Sequence, residues 1–432
     1  MAISEWTTRR PSNRESRSPV RLEGAMVGIR SIGAYVPKFR LNEETHGWGS
    51  PTGRSVANYD EDSTTMAVAA SLDCLGAIDG QVVDGLLFAT TTAPYFEKLS
   101  ASTIAAALGL RRDIFSQDIA GTLRGGTSAL RAAADAIGSG SARNVLVAAA
   151  DLRLAFPKSD TEAVLGDGAA ALLLCDTDVA VEIEASHFIS EHMLDVWRST
   201  TDTFVRTGED RFVIEEGYRP ALVDAVGGLM KKSGLTPKDF TKAAYYSPDF
   251  RRHKEMARVL GFAPEQVQDP LYGKVGNTGT AFPLMLLVAS LEGAKPGDRI
   301  LLAGYGDGAD AYSLRVTDKI EEARKDRRAV SQHVTSSVTL SDYQLYLRLR
   351  GLLPQEPARR PSPQAISLQA SWRDTARNLS LQGSKCNACG NIQYPSQRVC
   401  AFCQAVDNSE PARLAGKRGE IVTYSMDYLG GT

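Results

Sequence analysis

Four of the six cysteines give the clearest chemical signal in the chain. They form two Cys-x2-Cys pairs with ten residues between the pairs: Cys386, Cys389, Cys400 and Cys403. Two such pairs can hold four thiolates around one tetrahedral Zn²⁺ ion at about 2.3 Å. Because four protein ligands leave no coordination position open, the spacing predicts a structural zinc ribbon and not a catalytic metal.

Composition narrows the remaining classes of function. The 432 residues are 43% hydrophobic and 23% charged, with a net charge of −2, so no global field favours nucleic acid or an anionic membrane. No stretch approaches the ~20 consecutive apolar residues that span a bilayer. Cys74 and Cys175 lie singly in apolar segments, which suits core positions and a reducing compartment. We therefore expect a cytoplasmic protein with neither a nucleic-acid nor a membrane partner.

Short apolar runs alternate with helical patterns between Met26 and about Thr317. Buried strands are predicted over Val82–Thr90, Asn144–Ala149, Ala170–Cys175 and Arg299–Ala303. Helices are predicted over Thr64–Leu75, Thr127–Ile137, Pro220–Lys232 and Phe282–Leu291. Strands that alternate with helices predict an α/β layered core.

One pattern occurs twice within this core. The run NVLVAAAD at Asn144–Asp151 leads to GDGAAALLLC at Gly166–Cys175, and RILLAG at Arg299–Gly304 leads to GDGADAYSLRV at Gly306–Val316. Each copy reads as a strand, a Gly-Asp-Gly-Ala turn and a second strand, with glycines that permit backbone angles closed to other residues. The repeat predicts a duplicated half-domain, with halves of about 26–176 and 177–317.

Three further segments flank the core of residues 26–317. Residues 1–25 are rich in Arg and Ser and are predicted to be a disordered tail. Residues 318–365 combine an amphipathic helix over Ser341–Leu352 with a stiff proline-rich linker. Residues 366–432 form a second unit that holds the zinc ribbon and ends in a strand-like alternation at Gly419–Tyr428. One strand cannot bury its own face, so we expect the fold of this unit to be incomplete at its C-terminal end.

The order of several motifs resembles hydroxymethylglutaryl-CoA synthase of archaea and bacteria, a member of the thiolase superfamily. The resemblance covers roughly residues 26–353. The motifs are GIRSIGAYVPKFR (Gly28–Arg40), DEDSTTMA (Asp60–Ala67), DVWRST (Asp195–Thr200), GNTGT (Gly276–Thr280) and KPGDRI (Lys295–Ile300). The tail resembles the zinc-ribbon/OB-fold proteins that accompany thiolase-superfamily enzymes and acyl-CoA complexes, with most of the OB barrel missing.

The resemblance implies a duplicated thiolase-like core, a homodimer, and a tunnel that carries a coenzyme A thioester to the junction of the two halves. It also implies a Cys nucleophile, a Glu acid/base and a His that polarises the thioester carbonyl. Those positions fall here on Leu123 in GTLRGGTSAL, Thr91 in ATTTAPY and Tyr246 in YYSPDF. Leucine cannot form an acyl-enzyme, and threonine does not titrate near pH 7. Asn277 matches an active-site Asn that binds substrate oxygen.

A basic run follows Tyr246 closely. It comprises Arg251, Arg252, His253 and Lys254. The resemblance places cations of the family near the CoA phosphates, so Arg251, Arg252 and Lys254 are candidate phosphate contacts. An ordinary solvated helix face explains the same residues equally well. His253 is the histidine nearest to the catalytic positions, and the run favours phosphate contact for it over catalysis.

Three hypotheses for function remain open. The first is a non-acylating aldolase or lyase that cleaves a β-hydroxyacyl-CoA. In this hypothesis Tyr246, with a lowered pKa, moves the proton, while Asn277 and backbone amides after Leu123 hold the oxyanion, and the small Thr91 leaves room for an apolar acyl group. The second is a non-catalytic partner of an active thiolase or synthase subunit. The third is a hydroxymethylglutaryl-CoA synthase-type acyltransferase, against which Leu123 argues.

Overall fold

The computed structural model describes residues 26–46, 53–354, 356, 367–415, 417 and 419–426. The tail predicted over residues 1–25 and most of the proline-rich linker lie outside these residues. None of the helices in the described ranges is both long and apolar enough to cross a membrane.

The strands of the described residues, in chain order, are β1 Gly28–Tyr35, β2 Phe39–Leu41, β3 Arg54–Val56, β4 Gly85–Ala89, β5 Phe115–Ile119, β6 Asn144–Asp151, β7 Gly168–Cys175, β8 Val181–Ser190, β9 Val196–Trp197, β10 Arg206–Thr207, β11 Lys242–Tyr245, β12 Arg299–Tyr305, β13 Gly308–Val316, β14 Val338–Thr339, β15 Gln382–Cys386, β16 Ile392–Gln393 and β17 Ser409–Arg413.

The helices of the same residues are α1 Glu43–His46, α2 Ser63–Leu75, α3 Ser100–Leu108, α4 Gly125–Gly138, α5 Asp160–Val164, α6 Asp210–Phe212, α7 Arg219–Ser233, α8 Phe250–Leu260, α9 Phe282–Leu291, α10 Ile320–Arg324, α11 Val330–Thr335, α12 Tyr343–Leu349, α13 Leu368–Arg373 and α14 Thr375–Ser380. A π-helical turn over Val213–Tyr218 joins α6 to α7.

A nine-stranded mixed sheet forms the centre of the core. Its order is β11-β12-β13-β8-β1-β7-β6-β4-β5, with parallel pairs at β4–β5, β4–β6 and β11–β12. Side chains of one strand alternate between the two faces, as pleating requires. In β7, Leu172 and Leu174 join the cluster that includes α4, α7 and α9, whereas Leu173 joins the cluster that includes α2 and α3. The α/β layered core is therefore confirmed.

The repeated sequence pattern forms two similar strand pairs. β6 pairs antiparallel with β7, and β12 pairs antiparallel with β13. In each pair the Gly-Asp-Gly-Ala turn directly precedes the second strand. The two copies lie in the two halves of the sheet, joined through β1 and β8.

The segment after the core is attached to it by buried polar contacts. In α12, the hydroxyls of Tyr343 and Tyr346 donate to the Glu162 carboxylate at 2.8 and 2.7 Å. Just beyond this helix, the buried Arg350 pairs with the buried Asp167 at 3.1 Å. Glu162 belongs to α5, so these contacts fix a short helix that borders the candidate site described below.

The C-terminal unit is a three-stranded sheet of order β16-β15-β17, packed on the core through α14 and α3. Arg413 of β17 donates to the Ala107 carbonyl at 2.9 Å. The strand predicted over Gly419–Tyr428 is wrong for the described part of that range: residues 419–426 form no strand. Its apolar side chains, among them Ile421 and Val422, are exposed because no described strand pairs with them.

Asp151 is a buried carboxylate at the carboxyl end of β6. Its Oδ1 accepts hydrogen bonds from the Thr90 and Thr92 hydroxyls and from the Thr91 N–H at 2.7–3.0 Å. Its Oδ2 accepts the N–H of Thr280 at 2.8 Å. One side chain thus ties the loop after β4 to the loop that precedes α9.

Asp151→Asn tests this connection. The amide would present N–H groups to donors, so at least one buried hydrogen bond would be lost and one donor left unsatisfied. We expect the free energy of unfolding to fall by about 2–3 kcal/mol in chemical denaturation. The control Asp135→Asn breaks an exposed i,i+4 pair with Arg131 and should cost under about 0.5 kcal/mol. Equal stability of the two variants would contradict the role of Asp151.

Candidate active site

Two adjoining cavities lie where the parallel strands end. Their volumes are about 540 and 520 Å³. Four residues line both cavities: Arg153, Asp195, Val196 and Val205. The lining includes residues that follow β4, β5, β6 and β11, because parallel strands bring their carboxyl ends to the same edge of a sheet.

The first cavity contains Tyr246 and Asn277. Besides the shared residues it is lined by Asp160, Thr161, Val164, Leu165, Thr207, Gly208, Asp210, Val213, Ile214, Tyr218, Tyr246, Pro248, Asp249, Asn277 and Tyr305. Several of these come from the π-helical turn before α7, and such turns are frequent at functional sites.

The second cavity contains Leu123 and Thr91. The rest of its lining is Thr90, Ala93, Tyr95, Phe96, Ala120, Gly121, Thr122, Trp197, Arg198, Ser199, Thr200, Asp202, Gly306 and Asp307. Among the described residues, neither cavity lining includes a cysteine, histidine, lysine or glutamate. The ionisable groups available for chemistry are therefore aspartate, tyrosine and arginine.

Arg153 and Asn277 form the polar centre of the first cavity. The Arg153 Nη2 donates to the Asn277 Oδ1 at 2.9 Å, and the same oxygen accepts the N–H of Gly279 at 3.0 Å. The Asn277 Nδ2 donates to the Ser247 carbonyl at 3.2 Å. The Asn277 side chain also lies beside the phenols of Tyr246 and Tyr272, where its hydrogen bonding favours their ionised forms. The orientation of Asn277 is fixed by these hydrogen bonds.

Asp195 supplies a carboxyl group that faces both cavities. It is 6% exposed, and burial raises the pKa of its carboxyl. The hydrogen bond that it accepts from the Val196 N–H at 2.6 Å acts in the opposite direction and lowers this pKa. Tyr305 lines the first cavity with it. The Tyr305 hydroxyl is buried without a hydrogen-bond partner of ordinary geometry, and burial, reinforced by the Asp195 charge, raises its pKa.

Aromatic rings hold Tyr246 in place. Its ring contacts those of Tyr305, Tyr218 and Phe282 at centroid distances of 5.8–6.4 Å. The Tyr218 hydroxyl donates to the Tyr246 carbonyl at 3.0 Å. Burial raises the pKa of the Tyr246 phenol, although Arg153 and Asn277 beside it favour the ionised form. The lowered pKa expected for Tyr246 is therefore wrong, and this side chain is a hydrogen-bond donor at neutral pH.

Leu123 and Thr91 lie on the wall of the second cavity. Leu123 is 7% exposed and immediately precedes the start of α4 at Arg124 and Gly125. A side chain at Gly126 would meet the Thr280 carbonyl at 2.4 Å, so glycine lets this helix approach the loop that carries Asn277. The Thr91 hydroxyl is buried and has no hydrogen-bond partner among the described groups.

The two isolated thiols lie away from both cavities. Cys74 donates to the Ser31 carbonyl and Cys175 to the Thr177 carbonyl. Burial raises the pKa of Cys74 to about 12 and that of Cys175 to about 11. Neither thiol has the thiolate character that a nucleophile needs.

Curated relatives establish the family. The chain is 35% identical over 344 residues to the hydroxymethylglutaryl-CoA synthase of Aeropyrum pernix, an alignment that covers 76% of this chain and 95% of that protein. It is also 35% identical over 338 residues to the synthase of Thermococcus sibiricus, covering 75% and 96%. The chain belongs to the hydroxymethylglutaryl-CoA synthase family.

Two family profiles match parts of the chain, and solved structures share its fold. The profile of 3-oxoacyl-[acyl-carrier-protein] synthase III matches residues 117–192, and that of its C-terminal part matches residues 230–317. A structure of MvaS in complex with 3-hydroxy-3-methylglutaryl coenzyme A shares the fold with a TM-score of 0.65 at 21% identity, covering 79% of this chain and 96% of that chain. A structure of HMG-CoA synthase complexed with CoA has a TM-score of 0.67 at 20% identity, covering 75% and 90%.

The positions that the resemblance assigns to catalysis do not all line one cavity of this chain. Leu123 and Thr91 line the second cavity, whereas Tyr246 and Asn277 line the first, with Arg153 and Asp195 between them. Sequence reasoning missed Arg153, Asp195 and Tyr305 as site residues. A signal existed for two of them: Asp195 opens the DVWRST motif, and Tyr305 ends the second copy of the repeated strand.

The basic run forms the start of α8, which Asp249 caps through the Arg252 N–H. Arg251 pairs with Glu255 along the helix, and Arg252 pairs with Asp210 and Asp249. The Lys254 Nζ lies 4.2 Å from the centre of the Phe250 ring. Because Asp210 and Asp249 line the first cavity, Arg252 lies near its rim.

His253 does not belong to this exposed face, so the phosphate contact expected for it is wrong. It is 2% exposed, stacks on Tyr245 and shares a hydrogen bond with the Gln268 carbonyl. Burial lowers the pKa of His253 to about 4, so it is neutral at pH 7.

The four clustered cysteines converge in the C-terminal unit. Their Sγ atoms all lie within 4.8 Å of one another, with 3.6 Å for both the Cys386–Cys403 and Cys389–Cys400 pairs. A tetrahedron with metal–sulfur bonds of about 2.3 Å has sulfur–sulfur distances of roughly 3.8 Å. The cluster therefore fits one tetrahedral ion.

Proposed function

We propose that this protein binds acyl-CoA thioesters in the two cavities and acts on the carbon–carbon bond of a β-hydroxyacyl-CoA. Membership of the hydroxymethylglutaryl-CoA synthase family supports the bond class, because the relatives align over nearly their whole length. Two cavities of about 540 and 520 Å³ with convergent polar groups support a ligand of this size.

We infer from the residues that line the cavities that the reaction proceeds without a covalent acyl-enzyme. Leu123 stands where the family resemblance implies a nucleophilic cysteine, and the described lining offers no thiol, imidazole or amine. Asp195 is the candidate general base, since its buried carboxyl has a raised pKa and faces both cavities. Tyr246 is assigned to donate a hydrogen bond, because its phenol stays protonated.

The proposed cleavage balances without a further reactant. Asp195 accepts the proton of the β-hydroxyl, the bond between Cα and Cβ breaks, and its electron pair forms the thioester enolate. The Tyr246 hydroxyl and the Asn277 amide are the candidate donors to the oxyanion. Protonated Asp195 then returns the proton to Cα, which releases a carbonyl compound and an acyl-CoA. The condensation is the same sequence in reverse.

The synthase reaction itself is the second candidate, and the comparisons favour it. Relatives at 35% identity over 95% or 96% of their length carry the synthase name. In that reading the chain transfers an acyl group from one thioester to another substrate. It then needs a nucleophile other than Leu123, and Thr122 and Ser128 are described residues with hydroxyls near that position.

The decisive experiment offers the full chain two kinds of substrate. We expect cleavage of a β-hydroxyacyl-CoA, followed by liquid chromatography and mass spectrometry, with no acyl adduct on the protein after incubation with acetyl-CoA. Asp195→Asn removes the base and should lower kcat by about 100-fold or more, with little change in KM. Tyr246→Phe should lower kcat by about 10- to 1,000-fold, since one oxyanion donor is lost.

A matched control is Asp135→Asn, an aspartate on the exposed face of α4, which should retain wild-type rates. An acetyl adduct within the core would establish the synthase route in place of ours. Unchanged cleavage by Asp195→Asn would remove the proposed base. A pure protein that binds CoA esters but turns over none would instead favour the non-catalytic partner of a thiolase or synthase.

The exposed face of α8 is our proposed contact for the CoA phosphates. Arg251, Arg252 and Lys254 gather three cations beside the rim of the first cavity. Arg252 already pairs with Asp210, so phosphate would have to share or displace that carboxylate. Measurement of CoA affinity tests this contact. We expect Lys254→Ala to bind CoA more weakly at unchanged stability, and unchanged affinity would contradict the contact.

We propose a structural zinc ion in the cysteine cluster. Cys386, Cys389, Cys400 and Cys403 would hold it, and their sulfur–sulfur distances of 3.6 Å suit a closed tetrahedron. Thiolate ligation stays intact in a reducing compartment, in line with a cytoplasmic location. The ion would stabilise the unit of residues 366–432, whose described residues include few buried apolar side chains.

Metal analysis of purified protein tests this site. We expect about one zinc per chain by inductively coupled plasma mass spectrometry, and loss of that zinc in Cys400→Ser. Cys175→Ala removes a buried thiol outside the cluster and should keep the ion. Zinc retained by Cys400→Ser would contradict the ligand set, and iron in place of zinc would contradict the metal.

A homodimer is our proposal for the assembly. β5 is an edge strand of the nine-stranded sheet, and its side chains are exposed or half-buried, including Phe115 at 39%. An edge strand presents free backbone groups that a second copy can pair. Sedimentation at micromolar concentration should give twice the mass of one chain, and a single-chain mass would contradict the proposal.

A further inference from the structure

A third cavity lies within the C-terminal unit, apart from the two cavities of the core. Its volume is about 340 Å³, and its lining comes from helices α13 and α14, from strands β15 and β17 and from the loop after β16. None of the residues that line it lines either core cavity. A ligand bound here would therefore occupy a site separate from the proposed acyl-CoA site.

The charges around this third cavity leave one cation without a carboxylate partner. Arg373 and Arg377 line the cavity together with Asp374 and Glu410. Asp374 pairs with Arg377 at 2.8 Å, and Glu410 pairs with Lys385 at 3.6 Å. Arg373 forms no ion pair with another residue of the described ranges. The lining therefore carries a positive charge that an anionic ligand can neutralise.

Serine hydroxyls line the same cavity without hydrogen-bond partners. Ser384 of β15 is 4% exposed, and its hydroxyl finds no partner among the residues that the structure describes. Ser396 and Ser409 also line the cavity, and both are exposed. Water satisfies an exposed arginine or serine, whereas a buried hydroxyl without a partner costs free energy. Ser384 is therefore the observation that points to a ligand.

Guanidinium groups and hydroxyls together suit a phosphate group. A guanidinium presents a planar fork of N–H donors that matches two phosphate oxygens, and serine hydroxyls can donate to the remaining ones. Two arginines and three serines offer more donors than the two oxygens of a carboxylate can accept. A phosphate dianion would also compensate the unpaired charge of Arg373.

We propose that this third cavity binds a phosphate dianion, either inorganic phosphate or the phosphate of a small monoester, through Arg373, Arg377 and the Ser384 hydroxyl. Ser384 and Cys386 both belong to β15, so a bound phosphate would stabilise the strand that carries one of the clustered cysteines. The inference does not depend on the reaction proposed for the core.

Isothermal titration calorimetry on the full chain tests the proposal with inorganic phosphate, glycerol 3-phosphate and glycerol. We expect the wild-type protein to bind at least one of the two phosphates, and to bind neither glycerol nor chloride at the same ionic strength. The tighter of the two phosphates identifies the source of the group. Arg373→Gln should weaken phosphate binding roughly 10- to 100-fold, because hydrogen bonds to a dianion are lost.

Ser384→Ala provides a second, independent variant. It should weaken phosphate binding while the stability of the protein without phosphate is unchanged, because the hydroxyl has no partner to lose. The matched control is Arg398→Gln, an exposed arginine of the same unit that pairs with Asp407 outside the cavity and should keep wild-type affinity. Thermal unfolding and the metal content of each variant separate weaker binding from loss of fold.

Several results would overturn the proposal. They are the absence of phosphate binding by the wild-type protein, equal binding of chloride, and unchanged affinity in Arg373→Gln or in Ser384→Ala. Binding that is lost in Lys254→Ala but retained in Arg373→Gln would assign the phosphate to the exposed face of α8 and would also overturn it. Failure of the proposed function has a different signature, since a protein that turns over no CoA ester would still bind phosphate in this cavity.

Discussion

The buried carboxylate of Asp151 is the constraint on which the site depends. Its two oxygens accept from three successive threonines after β4 and from the backbone of Thr280. These bonds fix the loop that carries Thr91 relative to the loop that carries Asn277, although the two are far apart in sequence. Gly279 makes this approach possible, because a side chain there would meet the Asp151 oxygen at 2.2 Å. Asp151 therefore connects a loop that lines the second cavity with a loop that lines the first.

Within that frame, the electrostatics of the cavities differ from those that the family resemblance implies. A thiol, a carboxyl and an imidazole are expected at the positions of Leu123, Thr91 and Tyr246. Here Arg153 and Asp195 line both cavities, and the phenols of Tyr246 and Tyr305 stay protonated because burial raises their pKa. Two of the buried polar atoms without a hydrogen-bond partner, Arg153 Nε and Thr91 Oγ1, belong to cavity-lining residues. A bound molecule with matching acceptors would satisfy them.

A few contacts hold the C-terminal unit against the core. α14 packs on α3, and Arg413 donates to the Ala107 carbonyl. On the other side of the linker, α12 and Arg350 are held to Glu162 and Asp167, close to the wall of the first cavity. The segment that precedes the linker is therefore fixed to the part of the core that borders the first cavity.

The sequence by itself determined what depends on local pattern and spacing. It predicted the layered core, the repeated strand pair and the cysteine cluster, and it predicted both ends of helix α9 correctly. These features could be predicted because periodicity and turn residues act over short distances. Two predicted boundaries differ from the observed ones because a local cap ends or begins the element. β4 begins at Gly85 and not at Val82, because Asp79 caps a 3₁₀ turn over Gly80–Val82. Helix α12 begins after its cap, Asp342, and not at Ser341. Only the tertiary structure decided that Arg153, Asp195 and Tyr305 meet, and that burial raises the pKa of Tyr246. Convergence and burial arise from contacts between distant segments, which no local pattern in the chain encodes.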